Sequence, residues 1–161
     1  MIAASNTLVG TAGEYHVCAA LCMQGFLALM TPKNNPLFDV VATSQDGSRS
    51  VSIQVKTRSV RNKQGWKFGG AFGAEAGPAG LFVVLVNLHA SSLPDFYVYE
   101  YGDLSQRISH TYGEYISKPK RDGSARKEVA FRWFDEVSFN ENDSLRKNNW
   151  YPIIRALQPD A

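Results

Sequence analysis

Two strand-like segments joined by a tight turn constrain the fold of this chain more than any other feature. Residues 38–44 and 50–59 both alternate apolar with polar positions, and Asp46-Gly47 between them is a strong signal for a two-residue β-hairpin turn. With that turn and no bulge, Asp39 lies directly opposite Gln54 on the neighbouring strand. The chain is therefore predicted to bring a carboxylate and an amide together in a sheet.

The second strand of the hairpin adds an amine to this patch. Because strand side chains alternate with period two, Lys56 shares a face with Gln54, whereas Val51, Ile53, Val55 and Thr57 point to the opposite face, where they can pack. The commoner explanation of such a pattern is a solvated sheet face, with its polar residues exposed to water. A second observation is needed to favour a functional site.

Glu14 supplies that observation. Residues 7–24 have the apolar spacing of a helix, and Glu14 shares a face of it with Val17, Cys18 and Leu21. An unpaired charge on a packed face is costly, so this carboxylate is expected to have a cationic partner. Alternatively, Glu14 lies at the edge of the apolar stripe near the helix start, where the helix dipole favours a negative charge.

The 161 residues suit one domain, residues 1–161, with a core of about residues 6–117 and a basic loop and C-terminal extension over residues 118–161. Further strands are predicted from apolar runs, and a second helix is predicted from Asp103, whose spacing to Gln106 fits a capping box. The glycine-rich residues 62–80 are predicted to form a long mobile loop. The additional predicted strands are residues 26–30, 81–88, 96–101 and 129–134.

Composition excludes several classes of protein. No apolar run approaches the ~20 residues that span a bilayer, and no Lys-Ser or Lys-Thr follows the glycines as a phosphate-binding loop requires. We therefore expect neither a membrane span nor a nucleotide cofactor. The N-terminus lacks a secretory pattern, and Cys18 and Cys22 are expected to be buried thiols, so a cytoplasmic location is expected.

The net charge is only +2, but the basic residues are unevenly distributed. From residue 48 to residue 74 the chain has no Asp or Glu, and Trp66 and Phe68 lie among its basic residues. Cations beside aromatic rings indicate a nucleic-acid surface, although the aromatics could equally pack back onto the core. A second basic run covers residues 118–127. The candidate DNA contacts are Arg58, Arg61, Lys63, Trp66, Lys67, Lys120 and Arg121.

Three segments together resemble the PD-(D/E)XK nuclease superfamily: residues 13–15 (Gly-Glu-Tyr), residues 35–41 (Asn-Pro-Leu-Phe-Asp-Val-Val) and residues 53–57 (Ile-Gln-Val-Lys-Thr). They are similar to the subset with Gln in the third motif position, which includes Mrr-type restriction endonucleases. The helical glutamate is similar to that of archaeal Holliday-junction resolvases. The resemblance implies an α/β, restriction-endonuclease-like fold: a central mixed β-sheet with an N-terminal helix and a later helix packed on it.

The resemblance also implies a metal-dependent endonuclease that hydrolyses DNA phosphodiester bonds. Its metal, Mg²⁺ or Mn²⁺, would be held by Glu14, Asp39 and the Gln54 side-chain oxygen or the Val55 carbonyl. Lys56 would orient the attacking water and stabilise charge on the phosphate. A homodimer is expected where both strands are cut. The alternative is a module of the same fold that has lost cleavage and binds DNA or a protein partner.

Two departures from the family pattern bear on these expectations. Gln54 replaces an acid with a neutral acceptor, so the metal affinity should be lower than in a site with an acid there. The core helix that usually follows the third motif is not evident, because residues 62–80 are too rich in glycine.

Overall fold

The computed structural model describes residues 5–32, 35–72 and 77–158. These residues form α-helices, β-strands and one short 3₁₀ helix, Glu136–Ser138. In chain order the elements are α1 (Asn6–Met23), β1 (Leu27–Met30), β2 (Val40–Thr43), β3 (Ser50–Arg58), β4 (Trp66–Gly69), β5 (Leu81–Asn87), β6 (Asp95–Glu100), α2 (Tyr101–Ser117), β7 (Phe131–Phe134), α3 (Glu141–Leu145) and α4 (Tyr151–Leu157).

Five strands form the central sheet, in the order β1-β2-β3-β5-β6. The β3–β5 pair is parallel and the other pairs are antiparallel, so the predicted central mixed sheet is confirmed. Every residue of β5 is buried, which is the pattern of a strand covered on both faces. The predicted N-terminal helix and later helix are both present and contact the sheet.

The β2–β3 hairpin has the predicted register over its length: Thr43 pairs with Ser50 and Val41 pairs with Ser52. Its turn is wider than the expected two residues. The Ser44 N–H donates to Arg49 O, and the Gly47 N–H donates back to Ser44 O. Gly47 has a φ of 72°, a backbone conformation that favours glycine, which explains why this sequence turns here.

Helices α1 and α4 cover one face of the sheet. Their buried side chains, such as Leu21 and Ile153, pack against Ile53 and Val55 of β3 in one apolar cluster. This packing fixes the position of α1, and therefore of Glu14, against the middle of the sheet.

Helix α1 begins at a side-chain cap and ends near the two cysteines. The Ser5 hydroxyl accepts a hydrogen bond from the Leu8 N–H and caps the start of the helix. Near its end, Cys18 is partly buried and Cys22 is exposed. The expectation of two buried thiols is therefore wrong for Cys22, because the packed face of α1 does not extend to that position.

The other face is covered by α2 and a small sheet in which β4 pairs with β7. The prediction of a mobile loop over residues 62–80 is therefore wrong for residues 66–69. Trp66 and Phe68 are buried while Lys67 and Gly69 are exposed, which is the alternation of a strand. The strand was missed because glycines surround it and its partner lies far away in the sequence.

The C-terminal residues belong to the core and are not an extension outside it. Phe134 of β7 is fully buried in the cluster with Trp66, and α4 contributes Ile153 and Leu157 to the cluster on the opposite face. The predicted core boundary near residue 117 is thus corrected, because both faces of the sheet need later residues to cover them. No helix in the described ranges combines the length and the apolarity needed to cross a bilayer.

Candidate active site

Asp39 lies at a bend immediately before β2, and hydrogen bonds fix it on three sides. Its N–H donates to Ile53 O at 2.9 Å, and its O accepts the Thr31 N–H at 2.9 Å. Its Oδ2 accepts the Val55 N–H at 2.7 Å. The carboxylate is therefore held against the edge of β3 by the backbone of β3 and the residue that follows β1.

The expected unbulged pairing of Asp39 with Gln54 is wrong. The ladder ends at Val40–Ile53, and Asp39 turns its N–H onto Ile53 O, although a regular continuation would point that N–H away from β3. The Asp39 carbonyl, in contrast, accepts the Thr31 N–H and continues the register of the β1–β2 pair. As a result, β3 continues to Arg58 without β2 beside it, and the Asp39 side chain takes the place of a ladder partner.

The departure of β2 leaves a backbone oxygen at this edge. In an extended strand the N–H and the C=O of one residue point to the same side. Because the Val55 N–H points to Asp39, the Val55 carbonyl also faces the edge that β2 has left.

Glu14 meets Asp39 at a pocket of about 240 Å³ between α1 and the β1–β2 connection. Glu14 is half-buried, so its carboxylate is neither in the apolar core nor fully in solvent. Two carboxylates that are separate in the sequence thus line one concave site. The other residues around this pocket are Asn6, Thr7, Gly10, Thr11, Thr31, Pro32 and Asn35.

Gln54 and Lys56 lie on the next part of β3. The Gln54 Oε1 atom is buried and has no hydrogen-bond partner. Lys56 Nζ lies 5.9 Å from the centroid of the Phe68 ring. Burial lowers the pKa of Lys56, and the nearby negative charge of Asp39 opposes that change. Asp39 therefore connects the two halves of the site: it shares a pocket with Glu14 and interacts electrostatically with Lys56.

These residues fit a hard divalent cation. Mg²⁺ is bound by oxygen atoms, commonly one or two carboxylates with waters completing its shell. Glu14 and Asp39 supply the carboxylates that line the pocket. The Gln54 Oε1 atom does not line this pocket, but it is a buried oxygen without a hydrogen-bond partner on the neighbouring part of β3. Among the described residues, no three His, Cys, Asp or Glu side chains converge as a metal-binding group. A metal here would therefore depend on amide or carbonyl oxygens as well.

The structure corrects two of the predicted DNA contacts. Trp66 is 1% exposed and its Nε1–H donates to Val86 O at 3.0 Å, so its ring packs in the core and is not available to stack on a base. Arg58 lies 4.6 Å from the centroid of that ring, donates to Asn87 Oδ1 and forms an ion pair with Glu136. Both side chains stabilise the packing of β3 against β4.

The remaining predicted DNA contacts are on the surface. Arg61 and Lys63 are exposed and follow directly after β3, the strand that carries Lys56. Lys67 is exposed on β4, and Lys120 and Arg121 are exposed after α2. The geometry thus leaves five of the predicted cations accessible to a polyanion.

Sequence reasoning missed the positioning roles of two residues, Thr31 and Gly13. Thr31 binds the backbone of Asp39, and its hydroxyl donates to Phe38 O at 3.0 Å. Gly13 lies directly on Thr57, since a Cβ at Gly13 would be 1.9 Å from Thr57 Oγ1. A glycine inside a helical pattern was a usable signal for such close packing. Nothing in the local sequence indicated the contact of Thr31 with Asp39.

Comparison with known proteins adds one finding about the fold. The chain is similar to the solved structure of a bacterial homing endonuclease, I-Ssp6803I, with a TM-score of 0.54 and 14% sequence identity. The alignment covers 98% of this chain and 100% of that chain. The protein therefore shares its fold with a nuclease. No protein-family model and no curated protein matches the sequence.

Proposed function

We propose that this protein is a metal-dependent endonuclease of the PD-(D/E)XK type, which hydrolyses DNA phosphodiester bonds. The observation that carries the proposal is the meeting of Glu14 and Asp39 at one pocket, beside the edge of β3 that β2 leaves open. Lys56 lies on the same strand and interacts with Asp39. The fold shared with a homing endonuclease supports this choice over other hydrolases.

Each residue has a role in this proposal. Glu14, Asp39, the Gln54 Oε1 atom and the Val55 carbonyl are the oxygen donors available to Mg²⁺ or Mn²⁺. A bound divalent cation would polarise the phosphate and lower the pKa of a water molecule. The Lys56 ammonium, held in a partly buried position, orients a water and places positive charge near the phosphate as it becomes more negative.

The test is a plasmid-cleavage assay with Mg²⁺, with Mn²⁺ and with EDTA. We expect nicked or linear product with metal and none with EDTA. Glu14→Gln and Asp39→Asn should each lower the cleavage rate by at least about a hundredfold, since each removes one of two carboxylate charges. Glu128→Gln is the matched control, because Glu128 is exposed and outside the site. Cleavage by Glu14→Gln at the wild-type rate would refute the proposed metal site.

A second candidate function is suggested by the neutral Gln54, although the Mrr-type subset that the sequence resembles also carries Gln at this position. Because this position carries an amide and no charge, the donor set has only two negative charges for the metal. A nuclease-fold module with weak or no cleavage, which binds DNA or a protein partner, would share this feature. DNA binding without cleavage at any Mg²⁺ or Mn²⁺ concentration would select this second function.

One site serves one strand, so cutting both strands of a duplex favours a dimer, and we also propose that the active form on DNA is a homodimer. Light scattering of the protein with and without a duplex measures this directly. A monomer that linearises plasmid in a single binding event would contradict it.

A further inference from the structure

A second groove lies away from the pocket of Glu14 and Asp39. It has a volume of about 610 Å³ and runs between the C-terminal half of α2 and β7. Tyr112 and Tyr115 line the α2 side, and Phe131 and Trp133 line the β7 side. The proposed cleavage reaction uses none of these four aromatic residues.

The rings are arranged as two pairs on opposite walls. The centroids of Tyr112 and Tyr115 are 6.2 Å apart, as are those of Phe131 and Trp133. Tyr115 is 49% exposed and Trp133 is 36% exposed, so ring surface remains open to a ligand. Exposed aromatic surface in a concave site is typical of a binding surface.

Cations lie over these rings. The Arg126 guanidinium is 4.2 Å from the Tyr115 centroid, and the Arg132 guanidinium is 3.4 Å from the Tyr112 centroid. Lys67 Nζ is 4.4 Å from the Phe131 centroid. None of these three cations forms an ion pair with a carboxylate in the part of the chain that the structure describes. Their charge is therefore available to an anionic ligand.

The acidic residues at the groove are few. Among its described lining residues, Glu114 is the one carboxylate, and Arg107 and Lys118 add positive charge. Arg107 is already bound to Asp143. The groove thus combines partly exposed aromatic rings with an excess of positive charge.

We propose that this groove binds an unpaired strand of nucleic acid, with bases on Tyr115 and Trp133 and phosphates beside Lys67 and Arg126. Bases stack on aromatic side chains while cations follow the phosphates, and these are the two chemistries that the groove offers. A blunt duplex satisfies only the second, because its base faces are stacked inside the helix. An acidic peptide would neutralise the cations but has no planar groups to cover the rings.

This inference goes beyond the proposed cleavage, because it names a second contact and a preference for DNA that contains an unpaired segment. It rests on the groove alone. Binding can be measured in EDTA, where metal-dependent cleavage does not occur, so its failure and the failure of the proposed function are distinguishable.

Tryptophan fluorescence gives a direct readout. Of the three tryptophans, Trp66 and Trp150 are buried and Trp133 is exposed. Stacking of a base on Trp133 should quench the fluorescence of the wild-type protein when an oligo-dT of about 12 nucleotides is added, a length within the usual single-strand site sizes. A blunt duplex of the same length should quench less. Equal quenching by polyglutamate would overturn the proposal, as would no quenching by oligo-dT.

Substitutions separate stacking from charge. By fluorescence anisotropy of labelled oligo-dT, Trp133→Leu and Tyr115→Leu should each weaken binding by roughly five- to 150-fold with an unchanged salt slope. Lys67→Met should lower that slope by about 0.7. Tyr151→Leu is the control, since Tyr151 is an exposed aromatic residue outside the groove. Equal weakening by Tyr151→Leu, or wild-type affinity in both groove variants with melting temperatures unchanged, would refute the assignment.

Discussion

The Asp39 carboxylate accepts a hydrogen bond from the Val55 N–H at 2.7 Å, at the point where β2 has turned away from β3. One side chain thus replaces a strand at this edge and also presents a negative charge to the pocket of Glu14. The two tasks can be separated by substitution, because accepting the Val55 N–H needs only an oxygen atom, whereas binding a metal in the pocket needs the negative charge.

Asp39→Asn should abolish cleavage and leave stability nearly unchanged, since the amide oxygen can still accept the Val55 N–H. Asp39→Ala should abolish cleavage and also lower the free energy of unfolding by about 1–3 kcal/mol, because it leaves that N–H without a partner. Urea denaturation of the two variants measures the difference. Equal stability of the two would show that the hydrogen bond contributes nothing to the fold.

Lys56→Met should abolish cleavage and raise the midpoint of urea denaturation. The ammonium is desolvated in the folded protein, as its lowered pKa indicates, and methionine removes that cost while it keeps the apolar stem beside Phe68. Arg155→Met, at an exposed position of α4 outside the proposed DNA surfaces, is the control and should change neither quantity. A lower midpoint for Lys56→Met would mean that the attraction of Asp39 outweighs the desolvation of Lys56.

Gly13→Ala should destabilise the protein by about 1–3 kcal/mol, because the new methyl group would overlap Thr57 and push α1 away from β3. Cleavage should fall as well, since Glu14 moves with α1. Gly10→Ala on the same helix meets nothing within 4 Å and should stabilise the protein by about 0.5–1 kcal/mol. Equal melting temperatures for the two variants would contradict the close packing of Gly13 on Thr57.

Trp66→Leu should lower the free energy of unfolding by about 2–5 kcal/mol, because it leaves a cavity between β4 and β3 and removes the hydrogen bond to Val86 O. Its affinity for duplex DNA should equal that of the wild type at a temperature where both are folded. A weaker affinity for duplex DNA in the folded variant would show that Trp66 contributes to DNA binding.

Neutralising Arg61 and Lys63 together should weaken duplex binding and lower the salt slope by about 0.9 for each phosphate that the protein no longer neutralises. Both side chains are exposed and follow the strand that bears Lys56. The control neutralises Lys147 and Arg155, which lie in the C-terminal part of the chain, and it also removes the ion pair of Lys147 with Asp95. If the control pair changes the salt slope by the same amount, then the effect reflects the net charge of the protein and not DNA contacts made by Arg61 and Lys63.

Local patterns in the sequence were sufficient to predict α1, the hairpin register and the buried β5. The failures involve partners that are distant in the chain. The β4 strand pairs with β7, and the backbone of Asp39 is bound by both Ile53 and Thr31. The start of α2 was also misplaced: the helix begins at Tyr101, and Asp103 binds Arg146 of the C-terminal segment instead of capping it.

The pairing of β4 with β7 also sets an order of events during synthesis. When Trp66 and Phe68 leave the ribosome, β7 has not yet been translated. These two large apolar side chains therefore remain exposed until β7 can pair with β4. The ring that lies beside Lys56 belongs to this strand. In a nascent chain the residues proposed for cleavage are therefore translated before the strand that completes the packing beside Lys56.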